Sequence, residues 1–264
     1  MIQSVFNFAN QQSPILATAI HNGHLIPSSL MKYTELGEED RFREEDPFTG
    51  NIAQMFENHI ILETSRFAID INRTREKSVY LKPEDAWGFE VRNSELPQNL
   101  LLALYHAYDS WYKTLNSQIN HLLKTHPFLV VFDLHSYNHR RGGPDATPDS
   151  QINNPDIILG RSNMPFEYHA IVQKLADSLN GKMVQDRCLD VRCDVKFPGG
   201  NFPRHLHRNF NGRLIAIAVE FKKIFMDEHS HELYPAFFKE LREVFYAQAM
   251  PWAEAALKQI MLQS

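Results

Sequence analysis

Short apolar runs alternate along this chain with longer amphipathic stretches. Residues 14–20, 128–132 and 214–219 are apolar with little interruption and rich in β-branched side chains. Runs of this length are typical of strands that are buried on both faces, as in a parallel sheet. Residues 156–160 predict a further short strand. Residues 59–72 alternate between apolar and polar positions well enough to predict another.

Three longer stretches have the period of a helix. Apolar and aromatic residues recur every three or four positions over 96–123, and the same spacing appears over 165–180 and 234–262. Pro251 predicts a break or kink in the last of these helices. The alternation of strands and helices predicts a single-domain, three-layer α/β/α fold with a mostly parallel or mixed central sheet. Since no internal repeat or shift in composition divides the chain, we expect one domain over residues 1–264.

The remaining segments are polar and predict loops. Residues 1–13 and 74–95 show no clear period, and residues 31–57 carry a run of acidic side chains that favours a solvated loop. Residues 196–205 also predict a loop. A pair of glycines there allows the backbone to approach a ligand closely.

Composition excludes several classes of protein. The 264 residues carry a net charge of -5 and contain no basic run, which argues against nucleic-acid binding. The longest apolar runs are too short to span a membrane, and the first twenty residues lack the pattern of a signal peptide. Cys188 and Cys193 do not have the spacing of a zinc knuckle, so we expect reduced thiols in a cytoplasmic protein. The 13 histidines mildly favour metal chemistry.

Polar side chains appear where the predicted strands end. His21 follows the first strand, His135 closes the central strand and Glu220 follows the last one. The carboxyl ends of neighbouring parallel strands meet in one crevice, and two imidazoles with a carboxylate form a zinc site with a position left for water. Asp133 lies on the same side of its strand as His135 and can fix the tautomer of that imidazole.

A fourth segment adds positive charge to this predicted crevice. Arg66, Asp70, Asn72 and Arg73 lie close together in the sequence. Arginines at such a place can bind an anionic substrate and stabilise an oxyanion.

Simpler interpretations of these residues remain open. Residues 70–73 are compatible with a buried salt bridge at a strand end, and Glu220 with a carboxylate at the surface. His21 is compatible with a loop position, and Asp46 with a solvated acid.

Taken together in order, the motifs resemble those of the N-formylglutamate amidohydrolase family, relatives of the zinc carboxypeptidases and aspartoacylase. The resemblance extends from about residue 15 to residue 228. The matching motifs are His21-Asn22-Gly23, Asp46, Ser65-Arg66-Phe67, Asp70-Ile71-Asn72-Arg73, Tyr105-His106, Asp133-Leu134-His135-Ser136, Gly199-Gly200 with Arg204-His205, and Ala218-Val219-Glu220.

The resemblance implies a zinc-carboxypeptidase-like fold and one zinc ion bound by His21 and His135. The carboxypeptidase relatives carry a His-x-x-Glu pair at the first strand, but the fourth residue here is His24. Asp46 matches an acidic position of the formylglutamate enzymes. It is therefore our first choice for the third ligand, and His24 is the second.

The remaining roles are carried over from the family in the same way. Glu220 would be the general base and Arg66 would face the developing oxyanion. Asn72 and Arg73 resemble the pair that binds a substrate carboxylate, and Arg204 is a candidate for a second carboxylate.

The expected function is zinc-dependent hydrolysis of an amide bond in a small anionic N-acyl amino acid, with N-formyl-glutamate as the best candidate. Two alternatives remain. One is a carboxypeptidase-like metallopeptidase that acts on short peptides, and the other is a metal-free binding protein that keeps the fold without catalysis.

Overall fold

A computed structural model describes residues 2–210 and 212–262. The strands are β1 Ser4–Phe8, β2 Ile15–Ala19, β3 Asn58–Leu62, β4 Leu129–Tyr137, β5 Ile157–Gly160, β6 Met183–Val184, β7 Arg187–Cys188, β8 Val191–Cys193 and β9 Leu214–Lys222. The α-helices are α1 Ser28–Met31, α2 Glu38–Glu44, α3 Thr49–Ala53, α4 Gln98–Leu122, α5 His169–Leu179, α6 Asn201–Phe210 and α7 Pro235–Met261. Short 3-10 helices cover Arg75–Lys77, Pro83–Ala86 and Phe166–Tyr168.

Seven strands form one mixed sheet in the order β1-β3-β2-β4-β9-β5-β8, and β6 and β7 form a separate hairpin. The pairs β1–β3 and β5–β9 are antiparallel, whereas the other neighbours are parallel. Because β3, β2, β4 and β9 all run in the same direction, their carboxyl ends meet at one edge of the sheet.

Each face of the sheet packs against its own layer of helices. Along β4, Val130 and Phe132 face a core shared with α5 and α7, while Leu129 and Val131 face a core shared with α4 and α6. Period two in the strand places successive side chains on opposite faces. The three-layer α/β/α arrangement and the mixed sheet predicted from the sequence are confirmed.

The amino-terminal prediction was wrong, because residues 1–13 include strand β1. This strand lies at the edge of the sheet, antiparallel to β3, and most of its side chains are only partly buried. Polar residues such as Ser4 and Asn7 are tolerated at such an edge, so no apolar run marks the strand.

The strand predicted over residues 59–72 is also shorter than expected. It ends at Leu62, and the chain then turns several times. Phe67, Ile69 and Ile71 are buried, but Phe67 belongs to a small core of its own. The spacing of these residues therefore reflects turns that pack against two different cores.

The acidic segment over residues 31–57 is not simply a solvated loop. It contains the two short helices α2 and α3, and its residues Glu44, Glu45 and Asp46 are buried. The glycine-containing segment over residues 196–205 is a loop only as far as the start of α6 at Asn201.

Other predictions agree with the structure. The helix over residues 96–123 is α4, and the central strand is buried along its whole length. Of the break or kink predicted at Pro251, the break is absent, because α7 continues through this residue in the described part of the chain. Cys188 and Cys193 are free, as expected. Within the described ranges, no helix has the length and apolar character needed to cross a membrane.

Candidate functional site

Three side chains converge at the carboxyl ends of β2 and β4. His21 follows β2, His135 lies near the end of β4, and Asp46 lies in the turn between α2 and α3. One potential ligand atom from each residue lies within 4.8 Å of the others, and all three residues are buried. The spatial convergence predicted for the two histidines is therefore present, with Asp46 beside them.

The turn that carries Asp46 is fixed by backbone hydrogen bonds. The Asp46 N–H donates to the carbonyl of His21 at 2.9 Å, and the Asp46 carbonyl accepts a bond from the Thr49 hydroxyl at 2.6 Å. These contacts hold the carboxylate close to the end of β2.

Both imidazoles are held on their far side by a buried carboxylate. His21 Nε2 lies 2.7 Å from Asp70 Oδ1, and His135 Nε2 lies 3.0 Å from Asp133 Oδ2. Thr18 in turn donates to Asp133 Oδ1 at 2.9 Å. We assign the ring proton to Nε2 in each case, because a carboxylate can only accept it.

The Nδ1 atoms then face Asp46 as lone pairs. Asp46 Oδ2 lies 3.4 Å from His21 Nδ1 and 2.9 Å from His135 Nδ1. His21 Nδ1 is buried and has no hydrogen-bond partner among the residues that the structure describes. The two Nδ1 lone pairs and the Asp46 carboxylate oxygen repel one another unless a proton or a cation lies between them.

Without an ion, the charges around the group favour a proton at this point. Burial alone would lower the pKa of His135, but the carboxylates of Asp133 and Asp46 outweigh it and raise the pKa well above its ordinary value. Burial alone would raise the pKa of Asp46, yet the two histidines hold it well below its usual range. Two imidazoles and an ionised carboxylate are a donor set that fits Zn²⁺ and related divalent ions.

His24 is directed elsewhere. Its Nδ1 lies 2.5 Å from Glu45 Oε2, and its ring packs against Phe42. His24 is not part of the converging group. Of the two residues predicted as third ligand, the geometry favours Asp46.

Glu220 lies beside the group on the neighbouring strand. It is the register partner of His135 across β4 and β9, so the two side chains leave the same face of the sheet. Burial raises the pKa of Glu220 to about 8, and Asp46 and Asp133 add to this effect while His135 opposes it. The carboxyl group therefore takes up a proton readily.

A cavity of about 280 Å³ opens onto these groups. Its lining includes all the predicted catalytic and metal-binding residues. Further lining residues are Glu44, Asn72, Arg73, Trp87, Ser136, Tyr137, Asn138, Arg141, Phe197, Pro198, Gly199, Gly200 and Lys223.

Arg66 is fixed in the cavity wall by contacts on two sides. Its Nη2 donates to Asp70 Oδ2 at 2.9 Å, and the guanidinium lies over the Trp87 ring, 4.8 Å from the ring centroid. The hydroxyl of Tyr80 donates to the same oxygen of Asp70. Planar contact with an aromatic ring and a charged hydrogen bond together hold a guanidinium in one orientation.

Asn72 and Arg73 follow on the same side of the cavity. Asn72 Oδ1 accepts a bond from the Phe202 N–H at 2.9 Å, and Gly200 packs so closely that a Cβ there would lie 2.1 Å from that oxygen. The Arg73 side chain is 39 % exposed, and its guanidinium lies 5.7 Å from the centroid of the Trp87 ring. Two of the three predicted substrate-binding residues, Asn72 and Arg73, therefore border the cavity.

Arg204 is placed differently. It is exposed on α6 and donates to Asn163 Oδ1 at 3.2 and 3.3 Å. It is not among the residues that line the cavity. Its predicted contact with a second carboxylate has no support from this position.

The sequence did not indicate Trp87 or Lys223 as residues of the site, and for Arg141 it favoured a loop over the rim of the site. Trp87 lies close to Tyr80 and Phe89 in a segment predicted as a loop, and this small group of aromatic residues was the one available signal. Lys223 directly follows β9, which ends at Lys222. The strand predicted from the sequence ended at Glu220, so no sequence signal placed Lys223 in the crevice.

Fold and cavity together define an α/β protein with a candidate metal centre at the carboxyl ends of its parallel strands. Residues 13–226 match the model of the N-formylglutamate amidohydrolase family, and the chain belongs to this family. No curated protein matches the sequence.

Two solved structures share the fold. An N-formylglutamate amidohydrolase from Ralstonia eutropha aligns with a TM-score of 0.70 and 13% identity, covering 100% of this chain and 99% of its own. A gene product from Agrobacterium tumefaciens aligns with a TM-score of 0.65 and 18% identity, covering 95% of both chains. At these identities the alignments establish the architecture alone.

Proposed function

We propose that this protein is a metal-dependent amidohydrolase that cleaves the amide bond of a small N-acyl amino acid. N-formyl-glutamate is the first candidate substrate, and one Zn²⁺ is the proposed cofactor. The observation that carries the proposal is the convergence of His21, Asp46 and His135 beside Glu220. Membership of an amidohydrolase family supports the class of reaction.

His21, Asp46 and His135 would hold the ion, which would supply Lewis acidity at this position and lower the pKa of water to about 7. Glu220 accepts the proton of the attacking water while the water oxygen forms a bond to the acyl carbon. Glu220 then passes that proton to the amide nitrogen as the C–N bond breaks. The products are a carboxylic acid, formate for a formyl substrate, and the free amino acid.

Two arginines complete the proposed chemistry. The Arg66 guanidinium, held by Asp70 and Trp87, stabilises the negative charge that develops on the acyl oxygen. Asn72 and Arg73 hold the α-carboxylate of the substrate, since arginine binds a carboxylate through two parallel hydrogen bonds.

The single domain over residues 1–264 and the cytoplasmic location remain predictions from the sequence.

Metal analysis and substrate assays on one preparation test the proposal. Protein purified without chelator should contain about one zinc per chain and should hydrolyse N-formyl-glutamate faster than N-acetyl-glutamate or a dipeptide with a carboxyl-terminal glutamate. Chelation should abolish turnover and zinc should restore it. Faster cleavage of the dipeptide would instead indicate a metallopeptidase, and absence of both metal and activity would indicate a binding protein.

A further inference from the structure

Residues 71–73 form a turn outside the described helices and strands, and two of them, Asn72 and Arg73, border the cavity. A turn of this kind has no neighbouring strand to pair with its backbone groups. A buried backbone carbonyl without a partner is costly, so the partners of this turn must come from elsewhere in the chain. They come from α4 and from the start of α6.

Two tyrosines of α4 donate to the carbonyls on either side of Asn72. The Tyr112 hydroxyl donates to the Ile71 carbonyl at 2.6 Å, and the Tyr108 hydroxyl donates to the Arg73 carbonyl at 2.8 Å. Residues four apart lie on the same face of a helix, and the centroids of the two rings are 4.7 Å apart. The two tyrosines therefore contact the turn as one surface.

Asn201, the first residue of α6, provides two further donors. Its N–H donates to the Asn72 carbonyl at 3.2 Å, and its side-chain amide donates to the Arg73 carbonyl at 3.0 Å. The same amide nitrogen lies 3.5 and 3.4 Å from the hydroxyl oxygens of Tyr108 and Tyr112. Each carbonyl of the turn therefore has a donor.

The two tyrosines are buried and stay protonated, so their hydroxyls remain donors. Only 7 % of Tyr108 and 5 % of Tyr112 is exposed. Burial raises the pKa of Tyr108 to about 12 and raises that of Tyr112 well above its ordinary value. In the described part of the chain, neither tyrosine nor Asn201 is among the residues that line the cavity. All three can therefore affect a ligand in the cavity only through the turn.

The Arg73 guanidinium depends on this support, because its own contacts are long. Its Nε lies 3.8 Å from Asp70 Oδ2, and its Cζ lies 5.7 Å from the centroid of the Trp87 ring. Charged hydrogen bonds between nitrogen and oxygen are usually about 2.7–2.9 Å long. Arg66 Nη2, by comparison, lies 2.9 Å from the same oxygen of Asp70. The position of the Arg73 side chain is therefore set mainly by its backbone.

We propose that Tyr108 and Tyr112, together with Asn201, are positioning residues for substrate binding. They fix the turn of residues 71–73, and with it the two side chains proposed to hold the α-carboxylate of the substrate. The inference rests on the proposed function and deepens it. A contact made equally in the ground state and the transition state changes KM rather than kcat, so loss of these hydrogen bonds should act on KM.

The test compares N-formyl-glutamate with its α-amide, in which a neutral group replaces the carboxylate proposed to contact Arg73. Variants Y108F and Y112F each remove one hydroxyl and keep the ring. Each should raise KM for N-formyl-glutamate about 2- to 10-fold, the effect of one buried hydrogen bond, and leave kcat within about twofold. KM for the α-amide should stay within about twofold in both variants, whereas a general structural defect would raise it as well.

Tyr246 provides a matched control, because its ring packs against Phe56 in the core shared with α5 and α7, away from the residues that line the cavity. Y246F should leave both KM values unchanged, and thermal unfolding should be alike for all variants. The double variant Y108F/Y112F should raise KM for N-formyl-glutamate further than either single variant. An equal rise for both compounds, or an unchanged KM in the double variant, would overturn the positioning role.

Failure of the proposed function gives a different result. A wild type that hydrolyses both compounds with the same KM keeps the proposed reaction and overturns the positioning role, because the turn then holds no carboxylate. If the wild type hydrolyses neither compound, the proposed function fails. Calorimetric titration with N-formyl-glutamate then decides the positioning role, since weaker binding by Y108F than by Y246F supports it and equal affinity or absence of binding overturns it.

Discussion

Asp70 Oδ1 lies 2.7 Å from His21 Nε2, so a buried carboxylate supports one of the proposed metal ligands directly. Its other oxygen accepts from Arg66, the residue proposed to stabilise the oxyanion. Burial alone would raise the pKa of Asp70, but His21 and Arg66 hold it well below its usual range. The ionised carboxylate of Asp70 therefore orients both His21, a proposed metal ligand, and Arg66.

Replacement of Asp70 by asparagine should weaken metal binding, since the amide cannot accept the His21 proton with the strength of a carboxylate. Loss of such a partner typically costs about 10- to 100-fold in metal affinity or activity. Competition with a chromophoric chelator measures the affinity. D109N is the matched control, because Asp109 is exposed, pairs with Arg75 and belongs neither to the metal group nor to the cavity lining. Equal zinc affinity in D70N and D109N would contradict the proposed support.

Glu220 can be tested apart from the metal, because it is not part of the converging group. E220Q should keep a full complement of zinc while kcat falls about 100- to 10,000-fold, the range expected for loss of a general base. Metal content and kcat are measured on the same preparation. E254Q, on the exposed side of α7, should behave as wild type. An active E220Q enzyme would remove Glu220 from the mechanism.

The close approach of Gly200 to Asn72 gives a prediction about substrate binding. A Cβ at position 200 would lie 2.1 Å from Asn72 Oδ1, so G200A should displace the amide and raise KM for the carboxylate-bearing substrate. We expect a rise of about tenfold, the effect of one weakened charged hydrogen bond. G37A is the matched control, since a Cβ at Gly37 meets open space. An unchanged KM in G200A would show that Asn72 does not contact substrate.

Stability should depend on pH through His207. The Ala216 N–H of β9 donates to His207 Nε2 at 3.0 Å, and burial lowers the pKa of His207 from 6.5 to about 4. The unfolded chain therefore binds this proton first. The contribution of His207 to the unfolding free energy is complete above pH 6.5 and is lost as the pH falls through 4.

Chemical denaturation between pH 7 and pH 4 measures this effect. H207Q, which lacks the titrating group, should show a shallower loss of stability than the wild type, by at most about 1.4 kcal/mol per pH unit. H121Q, at an exposed position of α4, should retain the slope of the wild type. Parallel curves for H207Q and wild type would contradict the assignment.

The sequence predicted the parts of the site that lie at strand ends. His21, His135 and Glu220 each follow or close an apolar run, and parallel strands bring such positions together. Asp46 could be proposed only by resemblance to a family. Its burial depends on the packing of two short helices, and an acidic segment looks the same whether its carboxylates are solvated or enclosed.

The position of Arg204 depends on a helix that the sequence analysis had interpreted as a loop. A glycine pair followed by a polar segment suggested a loop near the ligand, whereas α6 begins at Asn201 and places Arg204 on its exposed side. Side-chain direction on a helix depends on where the first turn starts. Asn201, Pro203 and the four-residue spacing of Phe202, Leu206 and Phe210 are helix signals that the prediction of a loop overlooked.

Strand β4 is buried over all nine of its residues and lies between β2 and β9. Amide hydrogens on such a strand exchange with solvent only when the whole fold opens. His135 therefore cannot leave its place by a local fluctuation, and loading or loss of the ion should occur within an unchanged backbone. An ion bound there would raise the melting temperature of the entire chain in proportion to the logarithm of its free concentration above saturation.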